Sequence, residues 1–233
     1  MEPTAFTDSE PGPPGPAPSR RPPRLRPSEP MFNAPWPAVA LACVIVFGYA
    51  VQSLFPQDVV VAALGFAPSG LTNGQWPTLV TAMFRHGGWA PALMNGAFGL
   101  AFATPVARFF GDRLGGLMGL LAFYIACGVL SNLGYALVHA GDPHFLVGAS
   151  GAVSGLMGAA ARLIAGEGRL GRVFSPPVLS MGGSWLMVNL LIALLGGGFM
   201  PGGDAPVAWE AHLAGFAAGV LVITPIAWMT GRR

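Results

Sequence analysis

The sequence predicts an all-α polytopic membrane protein, a bundle of six transmembrane helices. Three observations point there. Of the 233 residues, 53% are hydrophobic and only 9% are charged, against about 25% charged in a soluble domain; so few charges cannot cover a water-facing surface of this size. Charge-free runs occupy 34–57, 86–107, 114–141, 143–161, 173–203 and 211–231. A span needs roughly 20 mostly apolar residues to cross about 30 Å of hydrocarbon at ~1.5 Å per residue. Finally, all twelve cationic side chains are arginines, and they cluster between some of these runs and not others.

Taken in order, residues 1–33 are rich in Pro, Gly, Ser and charge, with Arg20, Arg21, Arg24 and Arg26 close together. Such a segment buries too little apolar surface to offset the entropy of ordering it, which predicts a disordered cytoplasmic tail. It does not read as a cleaved leader, because the apolar run begins late and is long enough to span. Residues 34–233 form the membrane domain, with spans expected at about 36–54, 89–107, 114–138, 149–165, 178–197 and 207–229. The stretch 56–88 is apolar but broken by Pro56, Gly65, Pro68, Gly70, Gly74 and Pro77, which predicts an irregular loop lying in the membrane interface. Cys43 and Cys127 fall inside spans and read as packing residues; neither a disulfide nor a metal site is suggested.

Six spans place both termini and the loops near 108–113 and 162–172 on one side. That side holds eleven arginines and the other only Arg85. Cationic loops are retained in the cytoplasm, so both termini are expected there, in the plasma (inner) membrane. His139 and His144 flank an outer turn and read as solvated.

Polar side chains inside a bilayer are costly and point to function. The fourth span opens Gly148-Ala149-Ser150-Gly151. A short helix starting after a glycine sets its N-terminus below the outer surface, where irregular backbone must border protein or water. Ser150 then sits in a first turn, where unpaired amides and the positive dipole end favour developing negative charge. A serine hydroxyl needs a base within hydrogen-bond reach, and the sixth span offers His212 near its outer end. Gly151 and Gly155 on one helix, and Gly215 and Gly219 on the other, are spaced so that two backbones can approach closely. Ser150 alone would read as a cap or packing serine and His212 alone as an interfacial histidine. Their occurrence at one depth makes them a candidate nucleophile and base. No buried acid offers a third member: Glu210 is two residues from His212 and points elsewhere on the helix.

The Gly-Ala-Ser-Gly run 148–151, the Ala-His-x-x-Gly run 211–215 with Gly219, and the His-Gly-Gly-Trp…Asn run 86–95 resemble, in the same order, the motifs of rhomboid intramembrane serine proteases. The resemblance covers about residues 36–230 and implies a six-helix rhomboid-like bundle. It implies a catalytic dyad of Ser150 and His212, with Asn95 stabilising the oxyanion together with the Ser150 backbone amide. His86 matches a histidine of the first outer loop. The implied substrates are single-span transmembrane proteins in the lipid bilayer. No cofactor, metal or nucleic-acid partner is indicated. The sequence departs from the family at Pro91, where a second histidine is usual, and at Ser154, where an aromatic residue usually stacks on the base. It departs again at Ala107, in place of an acidic residue, and at Pro77 after Trp76. Two other classes compete with an intramembrane endopeptidase. One is an inactive relative that binds membrane clients, favoured by Pro91 and Ser154. The other is a transporter, for which the spans hold neither pathway charges nor a repeat.

Overall fold

The computed structural model describes residues 33–195 and 207–232. The chain divides into two units, Met1–Asn33 and Ala34–Arg233. The tail expected over 1–33 lies outside the described residues except for Asn33, as does the whole stretch 198–206 between the fifth and sixth expected spans, with Asp204. Among the described residues the second unit is helical, with no strand; two isolated antiparallel bridges pair Phe66 with Leu146 and Gly166 with Arg169.

Its α-helices are α1 (Trp36–Gln52), α2 (Gln57–Leu64), α3 (Thr78–Thr81), α4 (Trp89–Phe110), α5 (Leu114–Val138), α6 (Ser150–Ala165), α7 (Pro176–Leu195) and α8 (Trp209–Met229). Four of them, α4, α5, α7 and α8, are long and apolar enough to cross a membrane. The first and fourth expected spans are the shorter helices α1 and α6, of 17 and 16 residues. At ~1.5 Å per residue each covers about 25 Å, short of the ~30 Å hydrocarbon core.

The stretch 56–88 is more ordered than an irregular loop. Pro56 and Pro77 precede α2 and α3, and 3-10 turns span Pro68–Asn73 and Ala82–Phe84. The prolines expected to break helices instead start them, because proline's fixed φ suits a first turn whose N–H is unpaired anyway. Phe66, Leu79 and Ala82 of this segment cluster with Ala136 of α5. The Asn132 amide donates to the Leu79 carbonyl at 2.8 Å, and Thr81 to that of Leu64 at 2.9 Å. Asn132 thereby bonds the segment to α5, and the Phe66–Leu146 bridge ties it to the chain entering α6.

Helix α6 is the centre of the second unit. Every residue from Gly151 to Leu163 is buried, among side chains of α1, α4, α5 and α8. Its contact with α8 depends on glycine. A Cβ on Gly215 would overlap the Gly151 carbonyl oxygen, and one on Gly219 that of Gly155, so the two backbones touch where side chains would hold them apart. At the C-terminal end of α6 Arg162 is buried, in the helix's last turn and not in the loop expected there. Its guanidinium donates to the Gly171 carbonyl at 2.8 and 3.0 Å, to the Val220 carbonyl at 2.8 Å and to the Thr224 hydroxyl at 2.7 Å. Helix α7 differs from the other long helices, with only Val178 and Asn189 buried.

Candidate active site

Ser150 is the first residue of α6, and the chain reaches it through Gly148 at φ +121°, a conformation that L side chains rarely adopt. The Gly148 N–H donates to the Ala82 carbonyl at 2.9 Å, which fixes the approach to the helix. A side chain at 148 would also stand 3.7 Å from the Ser150 hydroxyl oxygen. First-turn amides of a helix lack intrahelical acceptors, so the Ser150 N–H stands beside its own hydroxyl as an available donor.

His212 lies in the first turn of α8. Its Nε2 is 2.8 Å from Ser150 Oγ, across 62 residues of sequence. The close glycine packing of α6 on α8, at Gly151 with Gly215 and Gly155 with Gly219, holds the two helices at that distance. Ser131 of α5 donates to the Ala211 carbonyl at 2.7 Å, tying the backbone beside His212 to a third helix. On its other side His212 Nδ1 stands 2.6 Å from Asn189 Oδ1, and the Trp185 ring lies 5.7 Å away at a tilt of 35°.

These α7 partners were not foreseen. Ser154, where the resemblance led one to look for a stacking aromatic, donates to the Ser150 carbonyl at 2.8 Å, one turn back along its own helix. The aromatic ring beside the imidazole comes instead from Trp185. Glu210 does point away from His212, as expected, and meets His139 at 3.1 Å. His139 also stacks on Tyr135 at 4.3 Å, so it is a packed residue and not merely solvated. His144 likewise has a partner: its ring nitrogen and backbone N–H both reach one oxygen of Asp142, at 2.6 and 2.9 Å, and hold that carboxyl below the usual carboxylate range.

Asn95 is buried in α4 and its amide has no hydrogen-bond partner among the described residues. Helices α4 and α6 are adjacent. Gly99, one turn after Asn95, faces Val153, one turn after Ser150, so Asn95 and Ser150 occupy matching levels. Pro91 stands in the first turn of α4 and carries no donor. His86 is elsewhere: it is buried against Tyr49 of α1, at 6.3 Å between rings, and its backbone N–H donates to the Gln52 side chain at 3.3 Å. It has no hydrogen bond to Ser150 or His212. Burial pushes its imidazole down to about 4, outweighing the opposing effect of the Phe84 backbone.

A hydroxyl bonded to an imidazole, beside an unpaired amide at a helix N-terminus, is an arrangement able to add an oxygen nucleophile to a carbonyl. The chain matches the Rhomboid domain family over residues 73–229, which leaves α1 and α2 outside the match. Over 153 residues it is 26% identical to a Bacillus subtilis (strain 168) protein named Putative rhomboid protease YdcA, covering 66% of this chain and 68% of that one. On this match and on its apolar helices, the chain is an integral membrane protein that belongs to the rhomboid family.

Proposed function

We propose that the protein is an intramembrane serine endopeptidase that cleaves transmembrane segments of single-span membrane proteins. The observation that carries this reading is the 2.8 Å approach of Ser150 Oγ to His212 Nε2. His212 takes the hydroxyl proton as Ser150 attacks a peptide carbonyl, then gives it to the leaving amine. The oxyanion of the tetrahedral intermediate is held by the Ser150 backbone amide and the Asn95 side chain. Water then attacks the acyl-serine, with the same imidazole as base.

Six membrane-crossing helices, α1, α4, α5, α6, α7 and α8, go with this function, with both termini cytoplasmic in the inner membrane. The eleven-to-one division of arginines supports that orientation. The shortness of α6 supports a nucleophile set below the outer surface, in reach of a substrate helix that unwinds locally.

The test is cleavage of a helix-destabilised single-span reporter by the full chain in liposomes. Ser150→Ala and His212→Ala should each abolish cleavage while leaving the thermal melt intact. Turnover unchanged in both variants removes the reading. Wild type that neither cleaves nor takes a fluorophosphonate label at Ser150 is instead a client-binding relative without activity.

A further inference from the structure

We propose that Asn189 of α7 is a positioning residue that fixes the tautomer of His212; the catalytic part of this inference rests on the dyad reading above. Asn189 is 1% exposed although it lies on a helix whose other side chains, Val178 apart, are not buried. An amide buried in the bilayer costs energy unless both of its ends are bonded, and here both are. Its Nδ2 donates to the Trp185 carbonyl at 2.8 Å. A carbonyl can only accept, so this bond decides which end of the amide is which.

The consequence passes to the imidazole. With Nδ2 committed to Trp185, the atom facing His212 at 2.6 Å is Oδ1, an acceptor. Neutral histidine carries one hydrogen, on one of two nitrogens. An acceptor at Nδ1 places it there, and Nε2 then presents its lone pair to the Ser150 hydroxyl. That is the tautomer a general base requires; the other one would point a hydrogen at Ser150 and could take no proton. When Nε2 takes the serine proton, Oδ1 continues to accept from Nδ1 and stabilises the imidazolium without itself changing protonation. An orienting carboxylate does this in Ser-His-Asp triads, where its neutralisation gives the wrong tautomer and costs about 10⁴ in turnover. Asn189 supplies the acceptor without placing a charge in the membrane. Trp185, one turn earlier on α7, covers the ring, so one helix provides both restraints on the base.

The experiment compares Asn189→Leu, Asn189→Ala and Asn189→Asp with wild type in liposomes. The Leu and Ala variants should lose at least about tenfold in kcat with KM within about twofold, because the group acts on the base and not on substrate. Asp restores an acceptor and should recover most of the rate. The independent readout is ¹⁵N NMR of histidine-labelled protein, with the His212 signals assigned by comparison with His212→Gln. Wild type should show hydrogen on Nδ1 alone, and Leu or Ala should lose that preference. Thermal melts identify any variant that fails to fold, and Ala and Asp serve if Leu does. An unchanged tautomer in the Leu or Ala variant, or an unchanged kcat, overturns the proposal. Wild type that fails to cleave removes the protease reading alone, and the NMR arm still decides what Asn189 does to His212.

Discussion

Gly215 lies against the carbonyl oxygen of Gly151, and one methyl group added to its α-carbon would overlap that oxygen. The relationship matters because Ser150 directly precedes Gly151 and His212 stands one turn before Gly215 on the same two helices. Their hydrogen bond exists only while those backbones touch. Gly215→Val should therefore separate α6 from α8 and lower turnover at least about 100-fold, with a loss of about 1–3 kcal/mol of stability from overpacking. Gly183→Val on α7, where the added group meets nothing, should change neither. Reporter cleavage and thermal melts check both, and full activity in Gly215→Val would mean that the glycine contact does not hold the site.

Asn95 offers an amide without a partner at the level of Ser150. If it binds the oxyanion, Asn95→Ala should reduce kcat by about 10²–10³ with KM and melting temperature nearly unchanged. Steady-state kinetics make the distinction: a fall in melting temperature with kcat retained would assign Asn95 to packing.

Arg162 satisfies the Gly171 and Val220 carbonyls and the Thr224 hydroxyl. Arg162→Met should strand these acceptors and cost about 3 kcal/mol. Arg162→Lys should recover only part, because a single ammonium cannot span the fork of acceptors that the guanidinium serves. Denaturation in detergent measures the loss. The rate of fluorophosphonate labelling at low temperature, where each variant is folded, should stay at the wild-type value.

His86 gives a pH dependence with a definite sign. Burial lowers its folded value from 6.5 to about 4, so between these the unfolded chain binds a proton that the folded chain does not. Its contribution is complete above about 6.5 and is lost as the pH falls towards 4. The melting temperature of wild type should therefore drop more steeply over that window than that of His86→Gln. Parallel curves would show that His86 does not stay neutral in the fold.

The part of the site that was legible in the sequence rested on local patterns. Ser150 opens one span and His212 lies in the first turn of another, each is followed by glycines at helical spacing, and parallel spans put them at one depth. Asn189 carries a signal of the same kind, a polar amide within an apolar run four residues after a tryptophan, but no motif marks the fifth span as the motifs of the fourth and sixth do. The pairing of His139 with Glu210 joins positions 71 residues apart, and no periodicity announces such a contact. Pro56 and Pro77 misled for a local reason: proline ends a helix when it follows one and starts a helix when it precedes one, and composition alone does not separate the two cases. Arg162 misled because arginine is ordinarily a surface residue. Here the carbonyls of a tight turn and of α8 converge on it and make burial tolerable.

The sparse packing of α7 implies an order in which the protein should fail. Val178 and Asn189 are its only buried side chains, whereas α6 is enclosed along thirteen consecutive residues. Heat, or a harsh detergent, will loosen the outermost helix first and leave the glycine-lined pair joined. A purified sample can then melt at its usual temperature and still have gone silent, its serine and histidine adjacent but the ring free to turn. Shelf life should accordingly be judged by turnover, since the unfolding curve reports on the wrong helices.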